Sequence, residues 1–271
     1  MPQTFTLTAE QREAFGREGV LRLPGFYPAD LVNPMADAIW EDARQRFGVE
    51  RDRPETWPPT RIGQHAKLRK RGVFDPLGTA QLRALGDAFL GAGTWDPPRH
   101  WGQPLLVSFP AGKWDVPHNV WHLDLPAADY TEALPMIRFF AFLAPVRPRG
   151  GGTPYIEGSH LAVMDRARAA GPGETLRSAE LRKALEREEP WLADLLKPGG
   201  EDRVAQFMRK SGVMRGFPVR VGEMTGEPGD LIVMHPAMIH SVANNALDQP
   251  RLVGAITLYT RDALQGMPDE A

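Results

Sequence analysis

The chain has 271 residues, with 32 Lys and Arg against 34 Asp and Glu, a formal net charge of −2 and no cysteine. Near-neutral charge leaves no basic footprint for nucleic acid or an anionic membrane surface. Without thiols there is no disulfide scaffold, cysteine-type zinc site, iron–sulfur cluster or thiol nucleophile, so any bound metal must be held by histidine and carboxylate. The start, MPQTFTLTAEQ, has no basic n-region or apolar h-region. No stretch approaches the ~18 uninterrupted apolar residues of a membrane helix. The expectation is one soluble, cytoplasmic domain spanning 1–271. The 27 Gly and 26 Pro favour strands and shaped loops over a helical bundle.

In chain order, Thr8 and Gln11 make a capping-box pattern that opens a helix through Phe15, and a reversal at Gly19 leads into the short strand Val20–Leu23. From Pro28, Leu31, Met35, Ile39, Ala43 and Phe47 draw an apolar stripe along a helix expected to pack on a sheet. Residues 50–78 are rich in Pro, Arg and Lys without a sustained period, which predicts a long surface excursion. A further helix starts near Thr79 and carries Leu82, Leu85 and Phe89. From about residue 104 the texture changes to short apolar runs bounded by Gly and Pro: PLLVSFP, MIRFFAFLAPV, TPYI, FPVRVGEMT, DLIVMH and RLVGAITLYT. These predict an antiparallel sandwich or barrel, mainly β with flanking helices (α+β). The charged block 165–212, helical in composition and broken at Pro190, reads as an insertion, a lid over one mouth of that core. The organisation expected is helical support and loop over 1–103, core over 104–164 and 213–262, and insertion over 165–212.

Among seven histidines the informative one stands in Trp121-His122-Leu123-Asp124. Along a strand residues i and i+2 share a face, so His122 and Asp124 present an imidazole and a carboxylate together. That is two ligands of a facial metal site in need of a distant third. The run Gly229 to Ser241 offers His235 and His240, and Arg251 follows at the head of another strand. Two His and one carboxylate leave three open positions on an octahedral iron(II), which suits a bidentate 2-oxo acid and dioxygen. A planar Arg fork can clamp the far carboxylate of that acid. His240 is preferred as third ligand, with His235, next to Pro236, read as structural. The run Gly150-Gly151-Gly152 lacks the strand-then-helix context of a phosphate loop and reads as a tight turn. Ser159 and His160 lack a nucleophile elbow and a matching acid, so a turn-stabilising role is the plain reading.

Together these segments resemble the phytanoyl-CoA dioxygenase-like family of iron(II)/2-oxoglutarate-dependent oxygenases. The resemblance runs over nearly the whole chain and is carried by LTAEQREAFGREGVLRLPGF, WHLD, GGGTPYIEGSH and GDLIVMHPAMIHSVANN followed by Arg251. It implies a double-stranded β-helix (jelly-roll, cupin-like) core with N-terminal helices packed on one sheet and a helical insertion near the barrel mouth. It also implies His122, Asp124 and His240 as iron ligands and Arg251 as partner of the 2-oxoglutarate C5 carboxylate. Thr153 then takes the place of a hydroxyl, and Asn119 that of an amide, near the cosubstrate. Glu157 departs from the family, standing where Pro is usual before Gly158-Ser159-His160. The implied reaction uses Fe(II), 2-oxoglutarate and O2, forms succinate and CO2, and hydroxylates a small organic substrate. With Asp124 present halogenation is disfavoured, whereas desaturation, cyclisation and epimerisation stay open. Two rivals remain at this point: a zinc-dependent hydrolase using the same triad with Glu157 as general base, and a catalytically silent jelly-roll binding protein. The expected partner is a small molecule, with no nucleic acid or membrane, and the chain acts as a monomer or homodimer.

Overall fold

The computed structural model describes residues 5–58, 65–102, 105–124, 134–170, 177–200 and 202–265. The first helix, α1 (Ala9–Glu18), starts from the Thr8 capping box: Thr8 Oγ1 accepts from the Gln11 amide at 3.1 Å, and Gln11 Oε1 accepts from the Thr8 amide at 2.9 Å. Gly19 ends it in the left-handed region at φ 73°, where a side chain would strike Met238 and His160. Strand β1 (Val20–Leu23) follows directly. Helix α2 (Ala29–Phe47) buries Val32, Met35, Ala36, Ile39, Trp40 and Ala43. That is a 3.6-residue face, not the four-residue stripe read from the sequence. A spacing of four drifts by ~40° per step, so Leu31 and Phe47 lie about 80° off the face centred on Ile39, and Phe47 is 43% exposed.

Within 50–78, whose residues 59–64 lie outside the described ones, residues 50–58 and 65–78 form more than a surface excursion. They contain the 3₁₀ turns Pro54–Thr56 and Asp75–Leu77 and the short helix α3 (Ala66–Lys70), and they bury Leu68, Phe74 and Leu77. Their widely spaced apolar residues dock singly into a shared core, which leaves no periodic signal. Helix α4 (Ala80–Leu90) opens on Thr79, whose hydroxyl accepts from the Leu82 amide at 3.1 Å.

The strands β2 (Leu105–Ser108), β3 (Met136–Phe142), β7 (Leu231–Met234) and β8 (Arg251–Tyr259) join β1 in a five-stranded antiparallel sheet of order β1-β7-β3-β8-β2. A second sheet has the order β4-β6-β5, from β4 (Pro154–Glu157), β5 (Gly212–Met214) and β6 (Phe217–Glu223). Alternation sorts the side chains of the large sheet. Ile137, Phe139, Ala141, Val233 and Ile256 pack with the N-terminal helices, while Phe140, Phe142, Ile232, Met234, Val253 and Ala255 meet Tyr155 from the small sheet and Met224 just past the end of β6. Two sheets thus share an apolar core, with helices covering the outer face of the larger.

The outer side of the small sheet is covered by α5 (Ser159–Arg168), α6 (Ser178–Glu188) and α7 (Pro190–Leu196), whose Leu181, Leu185, Leu192 and Leu195 are fully buried with Ile156, Val219 and Val221. Pro190 occupies the first turn of α7, where its missing N–H is no loss, and so separates two helices. Helix α5 was not expected: Ser159 and His160 belong to its first turn, not to an isolated loop. Trp121 and Leu123 join the same cluster, so this helical layer backs the segment that carries His122 and Asp124. A last short helix, α8 (Arg261–Gln265), follows β8, and among the described residues no helix is long and apolar enough to cross a membrane.

Beneath α1, His160 donates from Nε2 to the Gly16 carbonyl at 3.0 Å, and its ring lies 4.8 Å from that of His235, which in turn meets Phe15 at 5.8 Å. Burial lowers His160 to about 4, and burial with the neighbouring His160 holds His235 well below the ordinary histidine range. The unfolded chain therefore binds more protons than the folded one below pH ~6.5, and stability falls as pH drops from there toward 4. The His160 contribution alone amounts to as much as ~3 kcal/mol. Urea midpoints of the metal-free protein should drop from pH 7 to 4.5, with a shallower drop in His160→Gln; a flat wild-type profile would contradict this.

Candidate metal centre

His122 and His240 face each other across an antiparallel bridge in which each amide donates to the other's carbonyl, at 2.9 and 3.1 Å. His240 also bridges Tyr155 of β4, so these one-residue rungs extend the small sheet to His122. Asp124, two residues on, projects to the same side. Asp124 Oδ1 lies 3.6 Å from His122 Nε2 and 3.5 Å from His240 Nε2, and one ligand atom from each residue falls within 4.8 Å of the others. Among the described residues this is the one such His/Asp/Glu group of three. The structure therefore brings together the residues read as ligands. His235 stands apart, with Nδ1 accepting from the Ala237 amide at 3.1 Å.

The tautomers are set by the backbone. His122 Nδ1 lies 2.8 Å from the Val120 carbonyl and His240 Nδ1 lies 3.1 Å from the Met238 carbonyl. A carbonyl can only accept, so both Nδ1 atoms carry the proton and both Nε2 lone pairs face Asp124. Burial above all, then the His122 ring and the Arg138 charge, push His240 down to about 3, which keeps it neutral. Two unprotonated nitrogens and a carboxylate oxygen are a donor set for a divalent ion of the first transition row. Val120 supplies its carbonyl from a left-handed backbone at φ 59°, rare for a β-branched residue and a mark of local strain. Ser159 Oγ accepts from the Ile239 amide at 3.0 Å and so fixes the strand end carrying His240.

Arg138 was not anticipated. It projects from β3 into the interior and forms an ion pair with Asp124 Oδ2, leaving Oδ1 to the histidines. Burial lowers its pKa from the ordinary value. The available signal was a single cation inside the otherwise apolar run MIRFFAFLAPV, since a charge in a buried strand is retained only where it has a partner.

Arg251, 3% exposed, opens β8 opposite Ser108 of β2. Its Nη1 donates to the Gly151 carbonyl and lies 3.5 Å from Thr153 Oγ1. The structure thus joins Arg251 and Thr153, and it gives the glycine run more than a turn: Gly151 presents a carbonyl to the guanidinium. The loop is held by Glu223, which accepts from the Arg149 and Gly152 amides at 2.9 and 3.2 Å. A Cβ at Gly152 would lie 2.2 Å from the Met224 carbonyl oxygen, so the chain passes there only as glycine. Asn119 is exposed and lines a cavity of about 780 Å³ with Ser108, Lys113 and Arg203; its carbonyl accepts from Ser241 Oγ at 2.9 Å. Glu157 pairs with Arg220 at 2.9 and 3.2 Å.

No protein-family model matches the sequence, and no curated protein matches it. Solved structures do. HygX from Streptomyces hygroscopicus, with nickel and 2-oxoglutarate bound, is 17% identical over 94% of this chain and 88% of its own, with a TM-score of 0.51. The epimerase SnoN from nogalamycin biosynthesis, described as non-heme and α-ketoglutarate dependent, is 17% identical over 97% of this chain and 90% of its own, at 0.50. The carbocyclase SnoK from the same biosynthesis, described alike, is 15% identical over 94% and 85%, at 0.50. At these identities the likeness establishes a shared fold.

Proposed function

We propose that the protein is an iron(II)- and 2-oxoglutarate-dependent oxygenase with a double-stranded β-helix core, of the phytanoyl-CoA dioxygenase-like branch. The observation that carries this reading is the pairing of a His122–Asp124–His240 donor set with a buried arginine, Arg251, that shares its surroundings with the Thr153 hydroxyl. A metal site alone fits many chemistries, whereas a metal site with a built carboxylate clamp fits a bidentate 2-oxo acid. The fold is shared with HygX, which was solved with nickel and 2-oxoglutarate and with iron, and with SnoN, solved with Fe3+, α-ketoglutarate and nogalamycin RO.

His122, Asp124 and His240 would hold the iron through Nε2, Oδ1 and Nε2. Bound there with 2-oxoglutarate, it would supply the oxidative decarboxylation to succinate and CO2 that activates O2 for hydroxylation of the substrate. The chain's own residues do the rest. The Val120 and Met238 carbonyls keep both imidazoles in the ligating tautomer, and Arg138 directs the second Asp124 oxygen away from the ion. Arg251, oriented by the Gly151 carbonyl, takes the distal carboxylate, and Thr153 adds a neutral hydrogen bond. With Glu157 engaged by Arg220, the general base that a zinc hydrolase needs is not on offer from that residue.

Anaerobic titration with iron(II) and then 2-oxoglutarate is expected to develop a visible metal-to-cosubstrate charge-transfer band. Iron binding without that band would point to a metalloprotein of another kind, and no iron binding to a silent binding protein.

A further inference from the structure

Two arginines line one cavity with a metal ligand. The cavity, of about 520 Å³, is lined by Arg69, Trp101, Asp124, Met136, Arg138 and Tyr259, among others. The larger cavity beside Asn119 contains none of His122, Asp124 or His240. We propose that the 520 Å³ cavity receives the substrate, and that the substrate bears an anionic group, a carboxylate or a phosphate, bound by Arg69 and Arg138. This rests on the oxygenase reading of the same site and narrows its substrate class.

Position comes first. Asp124 is both a ligand and part of the wall, so a molecule seated there lies beside the reacting centre. Charge is the second consideration. Of the other ionisable groups lining the cavity, Tyr259 is a phenol and uncharged near neutral pH, Asp96 is clamped by Arg261 through two contacts of 2.7 Å, and His100 lies 3.2 Å from Asp75. Arg69 reaches only the His100 carbonyl, at 3.4 Å, with no carboxylate paired to it among the described residues. Asp124 is shared between Arg138 and the two histidines, and a bound divalent ion would draw on it further. Arg69 and Arg138 outweigh Asp124 by one positive charge, and a divalent ion whose charge is offset by dianionic 2-oxoglutarate leaves that excess in place, a setting that concentrates an anion.

Donors are the third. Among the described residues Arg69 makes one long hydrogen bond, from Nη2, and Arg138 engages Asp124 through Nη1, so guanidiniums with five N–H donors each keep donors for an outside acceptor. The volume is that of a small-molecule site.

The test uses three probes of one shape, octanoate, octyl phosphate and octanamide, titrated calorimetrically into the full-length protein loaded with nickel(II) and saturating 2-oxoglutarate. At least one anion should bind about ten-fold tighter than the neutral amide, since charge-assisted hydrogen bonds are roughly twice as strong as neutral ones. The tighter of octanoate and octyl phosphate tells carboxylate from phosphate. Arg69→Gln, which touches no metal ligand, should erase most of that preference, and Arg69→Lys should restore part of it, a rescue that a folding defect would not show. Equal affinity for all three probes, or an unchanged preference in Arg69→Gln, would overturn the proposal, as would displacement of the anion by rising 2-oxoglutarate. Setting this titration beside the anaerobic iron(II) and 2-oxoglutarate titration separates the two readings. Anion preference with no charge-transfer band removes the oxygenase and keeps the cavity; the band without anion preference does the reverse.

Discussion

Alanine at His122, Asp124 or His240 is expected to abolish 2-oxoglutarate turnover and to weaken iron(II) binding by well over ~100-fold, because loss of a group that only supports a ligand already costs 10–100-fold. Each removal leaves two protein donors, too few to retain a labile divalent ion. His235→Ala should keep its iron, since that ring is spent on Phe15, His160 and the Ala237 amide. Arg138→Gln falls between these limits: all three ligands survive, yet Asp124 Oδ2 loses its ion pair, and iron affinity should drop by about 10–100-fold. Anaerobic iron titration followed by chelator competition ranks the five variants. If His235→Ala lost iron while His240→Ala held it, the assignment of the distal ligand would be wrong.

The parts of this architecture that could be read in the chain are those fixed by contacts between near neighbours. The Thr8 box, the Gly19 reversal and the Thr79 cap each need only residues three or four apart, and all three are present. His122 and Asp124 were legible for the same reason, the period of a strand being two. His240 lies 118 positions beyond His122, and what unites them is a single pair of backbone hydrogen bonds between segments too short to carry a strand pattern. Only the order of motifs connected them in advance. The three-residue β5 and the docked residues Leu68, Phe74 and Leu77 escaped notice because their apolar side chains answer to partners in the fold, not to a local period. Arg138 is the instructive case. A lone charge between apolar neighbours violates the pattern of its own strand, and that violation marks it as part of the site.

Arg251→Ala should separate cosubstrate binding from metal binding. The side chain is buried, fixed by the Gly151 carbonyl and set near the Thr153 hydroxyl, so its fork is oriented before any acid arrives. Truncation would leave the distal carboxylate of 2-oxoglutarate buried without its counter-charge, at a cost of roughly 2–5 kcal/mol. That corresponds to about 30-fold to several-thousand-fold in affinity. Iron(II) should still bind, because none of His122, Asp124 and His240 depends on Arg251 for its orientation in the structure. Lysine should rescue poorly, since a point-like ammonium reproduces neither the two parallel bonds nor the reach to Gly151. Thr153→Ala should show the same defect more mildly, a neutral hydrogen bond contributing only ~0.5–1.5 kcal/mol. Succinate release measured against 2-oxoglutarate concentration decides the matter for wild type and all three variants. A half-saturation point left unchanged in Arg251→Ala would detach the arginine from the cosubstrate, and with it the feature that distinguishes this His–Asp–His centre from a metal site of any other kind.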